Sequence, residues 1–181
     1  MQNLENILLD LKVTKVLGRK NISVKNILYD SKKVGEYSLF VAIKGTSTDG
    51  HLYIEDAIRN KANSIICEVL PTQIYRDVTY IQVSDTQKSL AIIASNFYKS
   101  PSKKIKLIGV TGTNGKTSTV FFLKQLFEKL GNKVGMISTI HVEINNQIFD
   151  STHTTHCPIK TNELLGKMVD TGCEYCFMEV S

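Results

Sequence analysis

Apolar residues recur along the chain in two alternating rhythms. Leu4, Ile7, Leu8 and Leu11 fall at helical spacing, as do Ile54, Ala57 and Ile58 within 51–61 and Leu90, Ile93, Ala94 and Phe97 within 86–99. Between them lie shorter runs that read as extended: 22–29, 38–43, 64–69 and 79–83. Polar breaks at 30–36 and 44–50 close two of these runs. The second half repeats the scheme. A buried strand is expected at 105–110, then a helix with Leu123, Leu126, Phe127 and Leu130 on its apolar face, a stop at Gly131-Asn132, and a strand at 133–137. Two extended arms around Asn145-Asn146 predict a β-hairpin over 141–149. A polar loop at 151–158 leads to a helix over 159–171, with Leu164, Leu165, Met168 and Val169 inward; Gly172 caps it, and 173–180 is a further strand.

Strands alternating with helices predict an α/β protein with parallel sheets and ligands at the carboxyl ends of the strands. Ser100-Pro-Ser-Lys-Lys104 interrupts the pattern with a proline and charge. The expected organisation is therefore a small N-terminal α/β domain over 1–100, a linker at 101–104 and a parallel-sheet domain from 105 to 181. That second domain has few parallel strands and stops at Glu179-Val180-Ser181, at the end of one of them. We expect it to be incomplete there, and the chain to be an N-terminal fragment.

Composition changes this picture little. The net charge of +5 comes from lysines scattered along the chain, a solvated surface rather than a nucleic-acid footprint. No apolar run of about 18 residues exists to span a membrane. The first residues carry Glu5 and Asp10 on an amphipathic pattern, unlike a secretory leader, so a cytoplasmic location is expected. The four cysteines, Cys67, Cys157, Cys173 and Cys176, are then free thiols. Cys173-Glu-Tyr-Cys176, with His153, His156 and Cys157 upstream, raises a zinc site. The spacing fits no paired-ligand pattern, and Cys176 belongs to an apolar run where cysteine packs as a small hydrophobe.

The strongest chemistry lies in Gly109-Val-Thr-Gly-Thr-Asn-Gly-Lys-Thr117. The strict spacing G-x-x-x-x-G-K-[ST] is not met, because Val110 stands five before Gly115. The context is nonetheless that of a phosphate cradle: an apolar strand, a glycine loop, and Lys-Thr opening a helix. Backbone N–H groups and the helix dipole face an anion, the lysine reaches the outer phosphates, and the threonine hydroxyl can sit on Mg²⁺. Gly112, Thr113, Asn114, Gly115, Lys116, Thr117 and Ser118 are the candidate ATP contacts, with Lys116 the catalytic candidate. Glu179, at a strand end, is the acidic partner expected for a magnesium ion shared with Thr117. Ser31 after Asp30 is good turn chemistry in its own right. His51 and His141 read as surface or packing residues rather than acid–base catalysts. Two other classes stay open. A GTPase would want Asn-Lys-x-Asp, which is absent, and a small-molecule kinase would not need the domain in front. A truncated module that binds nucleotides and catalyses nothing is the other.

Ordered stations along the whole chain carry a family resemblance. Asp30-Ser31-Lys32, Gly35 to Gly45 and Asp49-Gly50-His51 resemble the uridine-nucleotide domain of the Mur ligases, and Phe97-Tyr98-Lys-Ser-Pro101 before the glycine loop resembles the junction into their ATPase domain. Thr154-Thr155 and Met178-Glu-Val-Ser181 match further stations. Within the family the pattern is most similar to the member that adds the third residue of the peptide stem. The fourth-residue member usually has Ser in place of Thr113 and lacks the Thr-Thr loop. The resemblance implies that Ser31, Thr46, Ser47 and Thr48 hold the uridine diphosphate end of UDP-MurNAc-L-Ala-D-Glu, and that His153, Thr154, Thr155 and Ser181 hold its muramoyl-dipeptide. It implies ATP and Mg²⁺ as cofactors, and a diamino acid, meso-diaminopimelate or L-lysine, as second substrate. The D-Glu carboxylate would take the γ-phosphate as an acyl phosphate, and the incoming amine would displace it. His156-Cys157 departs from the family's usual pair after the Thr-Thr loop. The modified lysine, the downstream Gln and Arg and the C-terminal domain of the family are absent, so the fragment is expected to be inactive alone. A monomer is expected, with no nucleic-acid or membrane partner.

Overall fold

The computed structural model describes residues 1–45, 48–145, 147–150 and 157–180. The chain divides into two compact units, Met1–Phe97 and Tyr98–Ser181.

The first unit is built on a five-stranded sheet. A short pair, β1 (Gln2–Asn3) with β3 (Ser23–Val24), lies apart from it. The main sheet runs in the order β2 (Val13–Leu17), β7 (Thr79–Val83), β6 (Ala62–Cys67), β5 (Ser38–Val41), β4 (Asn26–Leu28). β4 to β7 are mutually parallel, and β2 joins β7 antiparallel at the edge. All of β5 is buried, as is nearly all of β6, as expected for strands covered on both faces. Phe40, Ala42, Ile65, Cys67 and Tyr80 pack with Ile54 and Ala57 of α2 (Ile54–Arg59) into one core. Leu39, Val41, Ile66 and Ile81, which alternate with them, are buried on the opposite face. α1 is short, Leu4–Ile7, and packs against α3 (Thr86–Phe97). The helix expected over 51–61 begins as a 3-10 turn, Gly50–Tyr53, before α2.

The second unit has its own five-stranded sheet. β8 (Lys106–Val110), β12 (Tyr175–Glu179) and β9 (Val134–Ile137) are parallel. The hairpin of β10 (His141–Ile144) and β11 (Gln147–Asp150) forms at the expected place and adds two antiparallel strands beside β9. α4 (Lys116–Lys129) covers one face, with Val120 packed on Val134, Met136 and Phe177. α5 (Pro158–Asp170) belongs to the other core, where Leu164, Leu165 and Met168 meet Ile137, Val142, Ile144 and Cys176. Gly135 leaves the space that Met168 fills. Among the described residues, no helix is long and apolar enough to cross a membrane.

One expectation about α4 is corrected. Leu126 and Leu130 are exposed, and the inward stripe is Val120, Leu123, Lys124 and Phe127. Lys124 is buried because its ammonium meets Glu143 of β10 at 2.5 Å and Glu128 at 3.2 Å. Burial alone would lower the lysine's pKa, but the hydrogen bonds it donates to the carboxylates of Glu143 and Glu128 outweigh it and raise the value above the ordinary one.

Candidate functional site

The parallel strands of the second unit bring a phosphate loop and an acid together. β8 ends at Val110, and residues 111–115 form the turn into α4. Gly112 has φ +145° and Gly115 φ +79°, both in the region where a side chain is strained. A Cβ on Gly115 would meet nothing within 4 Å, so glycine is there for its backbone and open space lies before it. The first N–H groups of a helix have no partner within it, and the loop from Thr111 to Gly115 is exposed. Lys116 folds over this loop, its ammonium donating to the carbonyl of Gly112 at 2.6 Å and of Thr113 at 3.3 Å. Thr119 ties the first turn shut through Gly115 O.

Glu179 stands opposite Val110 in the β12–β8 register. Its carboxylate, half-buried, accepts the N–H of Thr139 at 3.4 Å. Thr139 lies in the turn after β9, which buried Ser138 knits by donating to His141 O and accepting from Ile140 and His141 N–H. The carboxyl ends of all three parallel strands thus meet around one acid and one glycine loop. The Thr139 contact was not legible in the sequence; the polar Ser-Thr pair after an apolar strand was its only signal.

In the first unit Ser31 is buried and opens a 3-10 turn capped by Asp30, whose carboxylate accepts Lys32 N–H at 3.1 Å. Asn60 donates to Ser31 O at 2.9 Å and fixes that turn from α2's end. Lys44 bridges Asp49, and Thr48 O accepts Gly45 N–H at 3.0 Å. Asp49 caps the following turn, and the N–H of His51, then its ring, hold the Asp49 carboxyl below the usual range. Of the sequence-predicted sugar-nucleotide contacts, Thr46, Ser47, His153, Thr154, Thr155 and Ser181 lie outside the described residues.

Both units match known protein families. Residues 23–98 match the Mur ligase family, catalytic domain, and residues 110–181 match the Mur ligase middle domain. The chain belongs to the Mur ligase family. It is 47% identical over 179 residues to the UDP-N-acetylmuramoyl-L-alanyl-D-glutamate–2,6-diaminopimelate ligase of Cytophaga hutchinsonii, covering 98% of this chain and 37% of that one. The enzyme of the same name from Clostridium botulinum is 45% identical over 181 residues, again with 37% of its length covered. A solved structure of a ligase of that name superposes with a TM-score of 0.77 at 18% identity, over 99% of this chain and 36% of that one. The MurF ligase of Thermotoga maritima in complex with ADP superposes at 0.56 and 28% identity, over 86% of this chain and 32% of its own. This Mur ligase chain therefore spans about 37% of the length of the curated relatives it matches.

Three of the four cysteines, Cys67, Cys173 and Cys176, take packing positions. Cys173 and Cys176 are buried in the α5-side core, and burial pushes the Cys176 thiol up to about 12.

Proposed function

We propose that the protein of which this chain is part is an ATP-dependent amide ligase of cell-wall precursor synthesis, joining a diamino acid to UDP-MurNAc-L-Ala-D-Glu in the cytoplasm. The observation that carries the reading is the register that sets Glu179 beside Val110, at the mouth of a glycine loop that opens on Lys116 and Thr117. Gly112 to Ser118 would receive the ATP phosphates on backbone N–H groups, with Lys116 turning from the Gly112 carbonyl to the outer phosphates. The Thr117 hydroxyl and the Glu179 carboxylate would supply oxygen donors of the kind that suits Mg²⁺, which when bound would neutralise phosphate charge.

Phosphoryl transfer of this kind depends on positioning and charge rather than on a protein nucleophile. The groups at this site are of that sort: a lysine, a carboxylate and backbone donors. Ser31 and Thr46 to Thr48 would hold the uridine diphosphate, while His153, Thr154, Thr155 and Ser181 would hold the muramoyl-dipeptide. The names of the relatives favour 2,6-diaminopimelate over L-lysine as the incoming amino acid.

The test is phosphate release from ATP by the complete gene product, with UDP-MurNAc-L-Ala-D-Glu present and either diamino acid supplied. Release that needs the sugar nucleotide and one amino acid supports the ligase. Release indifferent to the sugar nucleotide overturns it. The 181-residue chain is expected to bind ATP and UDP without turnover.

A further inference from the structure

His51 sits where the first unit's loop meets the sheet, and both of its ring nitrogens are engaged. Nδ1 lies 2.6 Å from Asp49 Oδ1, and Nε2 lies 2.8 Å from the backbone nitrogen of Glu68, just past the end of β6. A backbone N–H can only donate, so Nε2 must be the bare nitrogen, and the ring proton must sit on Nδ1 facing the Asp49 carboxylate. The imidazole side chain is 15% exposed. Asp49 is also the residue that bridges Lys44 and caps the turn carrying His51. Glu68 is anchored in turn: its carboxylate accepts both the N–H and the hydroxyl of Thr86 at the start of α3, and its carbonyl accepts Gln82 Nε2.

The next residue leaves no slack. Gly50 donates to Ile43 O at 2.8 Å, and a Cβ there would lie 2.7 Å from Ile43 N and O. The bridged pair Lys44 and Asp49 is thus held at its base by Gly50 and fastened to the sheet by one imidazole. Nothing in the phosphate chemistry of the second unit uses this histidine.

We propose that His51 is a positioning residue: in its Nδ1–H tautomer it fastens Asp49, and with it the Lys44–Asp49 bridge, to the end of β6 and so positions the adjoining Thr48 for the uridine diphosphate. The inference rests on the reading of Thr48 as a sugar-nucleotide contact. Its action is through Asp49 and the Glu68 N–H, with no contact to a reacting atom.

The experiment combines imidazole ¹⁵N spectra, amide exchange and calorimetry with UDP as the probe, on the unaltered chain and on His51→Leu and His51→Gln. The expected spectrum shows a bare Nε2 and a protonated Nδ1. His51→Leu leaves the Glu68 N–H without the imidazole and takes from Asp49 Oδ1 one of the two hydrogen bonds it accepts, the backbone N–H of residue 51 remaining, and should speed exchange at Glu68, Gly45 and Gly50 and weaken UDP binding, each on the order of tenfold. Glutamine carries an acceptor and a donor at similar reach, so His51→Gln should recover most of both. A proton on Nε2, UDP affinity unchanged in His51→Leu, or a glutamine variant as impaired as leucine each overturns the proposal. If the leucine variant does not fold, the tautomer and the glutamine variant still decide. Failure of the unaltered chain to bind UDP would instead overturn the sugar-nucleotide reading, while the spectra and exchange rates report separately on whether His51 fastens the loop.

Discussion

Lys116 donates to the carbonyl of Gly112, four residues back, at 2.6 Å. The ammonium therefore lies over the loop whose N–H groups it would share with a phosphate. Because the side chain is not part of a core, Lys116→Ala should leave unfolding free energy within about 0.5 kcal/mol. ATP-dependent phosphate release by the complete protein should fall by roughly a hundredfold or more, since a charge aimed at the transferring group is removed. Unfolding and phosphate-release assays on the same preparation check the pair of outcomes. A large loss of stability would mean that the lysine holds the loop together instead.

Lys124 and Glu143 tie α4 to β10 with both side chains under a tenth exposed. Removing one partner leaves a buried charge uncompensated, so Lys124→Met should cost about 3–5 kcal/mol in urea unfolding. Lys124→Met combined with Glu143→Met should recover much of that. The pH dependence has a definite sign. The folded-state pKa of Lys124 is raised, so its contribution is complete below the unfolded lysine value of about 10.4 and is lost as pH rises through the folded value. The gap between unaltered protein and Lys124→Met should hold steady from pH 7 to about 10 and narrow only as pH rises past the unfolded lysine value.

These two lysines also show what a single sequence can and cannot disclose. The role of Lys116 is local: glycines, a lysine and a threonine stand in a row between a strand and a helix, and the backbone conformation follows from them. Lys124 is different, because which stripe of α4 turns inward depends on what waits across the sheet. Leu126 and Leu130 look like the natural core face, yet Val120 and Lys124 occupy it because Glu143 sits on β10 to receive the ammonium. The β10–β11 hairpin was readable from Asn145-Asn146, but not that it would extend the sheet beside β9. β2 escaped notice since Val13-Thr-Lys-Val-Leu17 is short, carries a charge and lies at an edge. His51 reads in the sequence as a surface or packing residue, because its partner Glu68 is brought to it only by the fold.

Gly50 tests the tightness of the first unit's loop without touching a titratable group. Its backbone angle is ordinary, so any penalty from Gly50→Ala comes from the 2.7 Å approach to the Ile43 backbone, which cannot move as a side chain could. The variant should lose about 1–3 kcal/mol of stability. Gly115→Ala makes the opposite comparison, with open space but φ +79°, and should cost about 1–2 kcal/mol through strain alone. Chemical unfolding of the two variants, side by side, separates crowding from backbone strain. A neutral Gly50→Ala would show that the loop base is looser than its hydrogen bond to Ile43 O implies.

Thiol chemistry offers a check on the cores of both units. Burial pushes Cys67 up to about 11 and Cys176 to about 12, and raises Cys173 as well, so at pH 8 these three are overwhelmingly protonated and enclosed. Cys157, at the start of α5, is only half-buried. An aromatic disulfide reagent added to the native protein at pH 8 should therefore modify Cys157 rapidly and the other three only on the timescale of opening, while all four react at once in denaturant. Peptide mapping after a short pulse identifies the labelled residue. Rapid labelling of Cys176 would contradict its place in the core between the sheet and α5, because the thiol there is reached only when α5 lifts from the sheet.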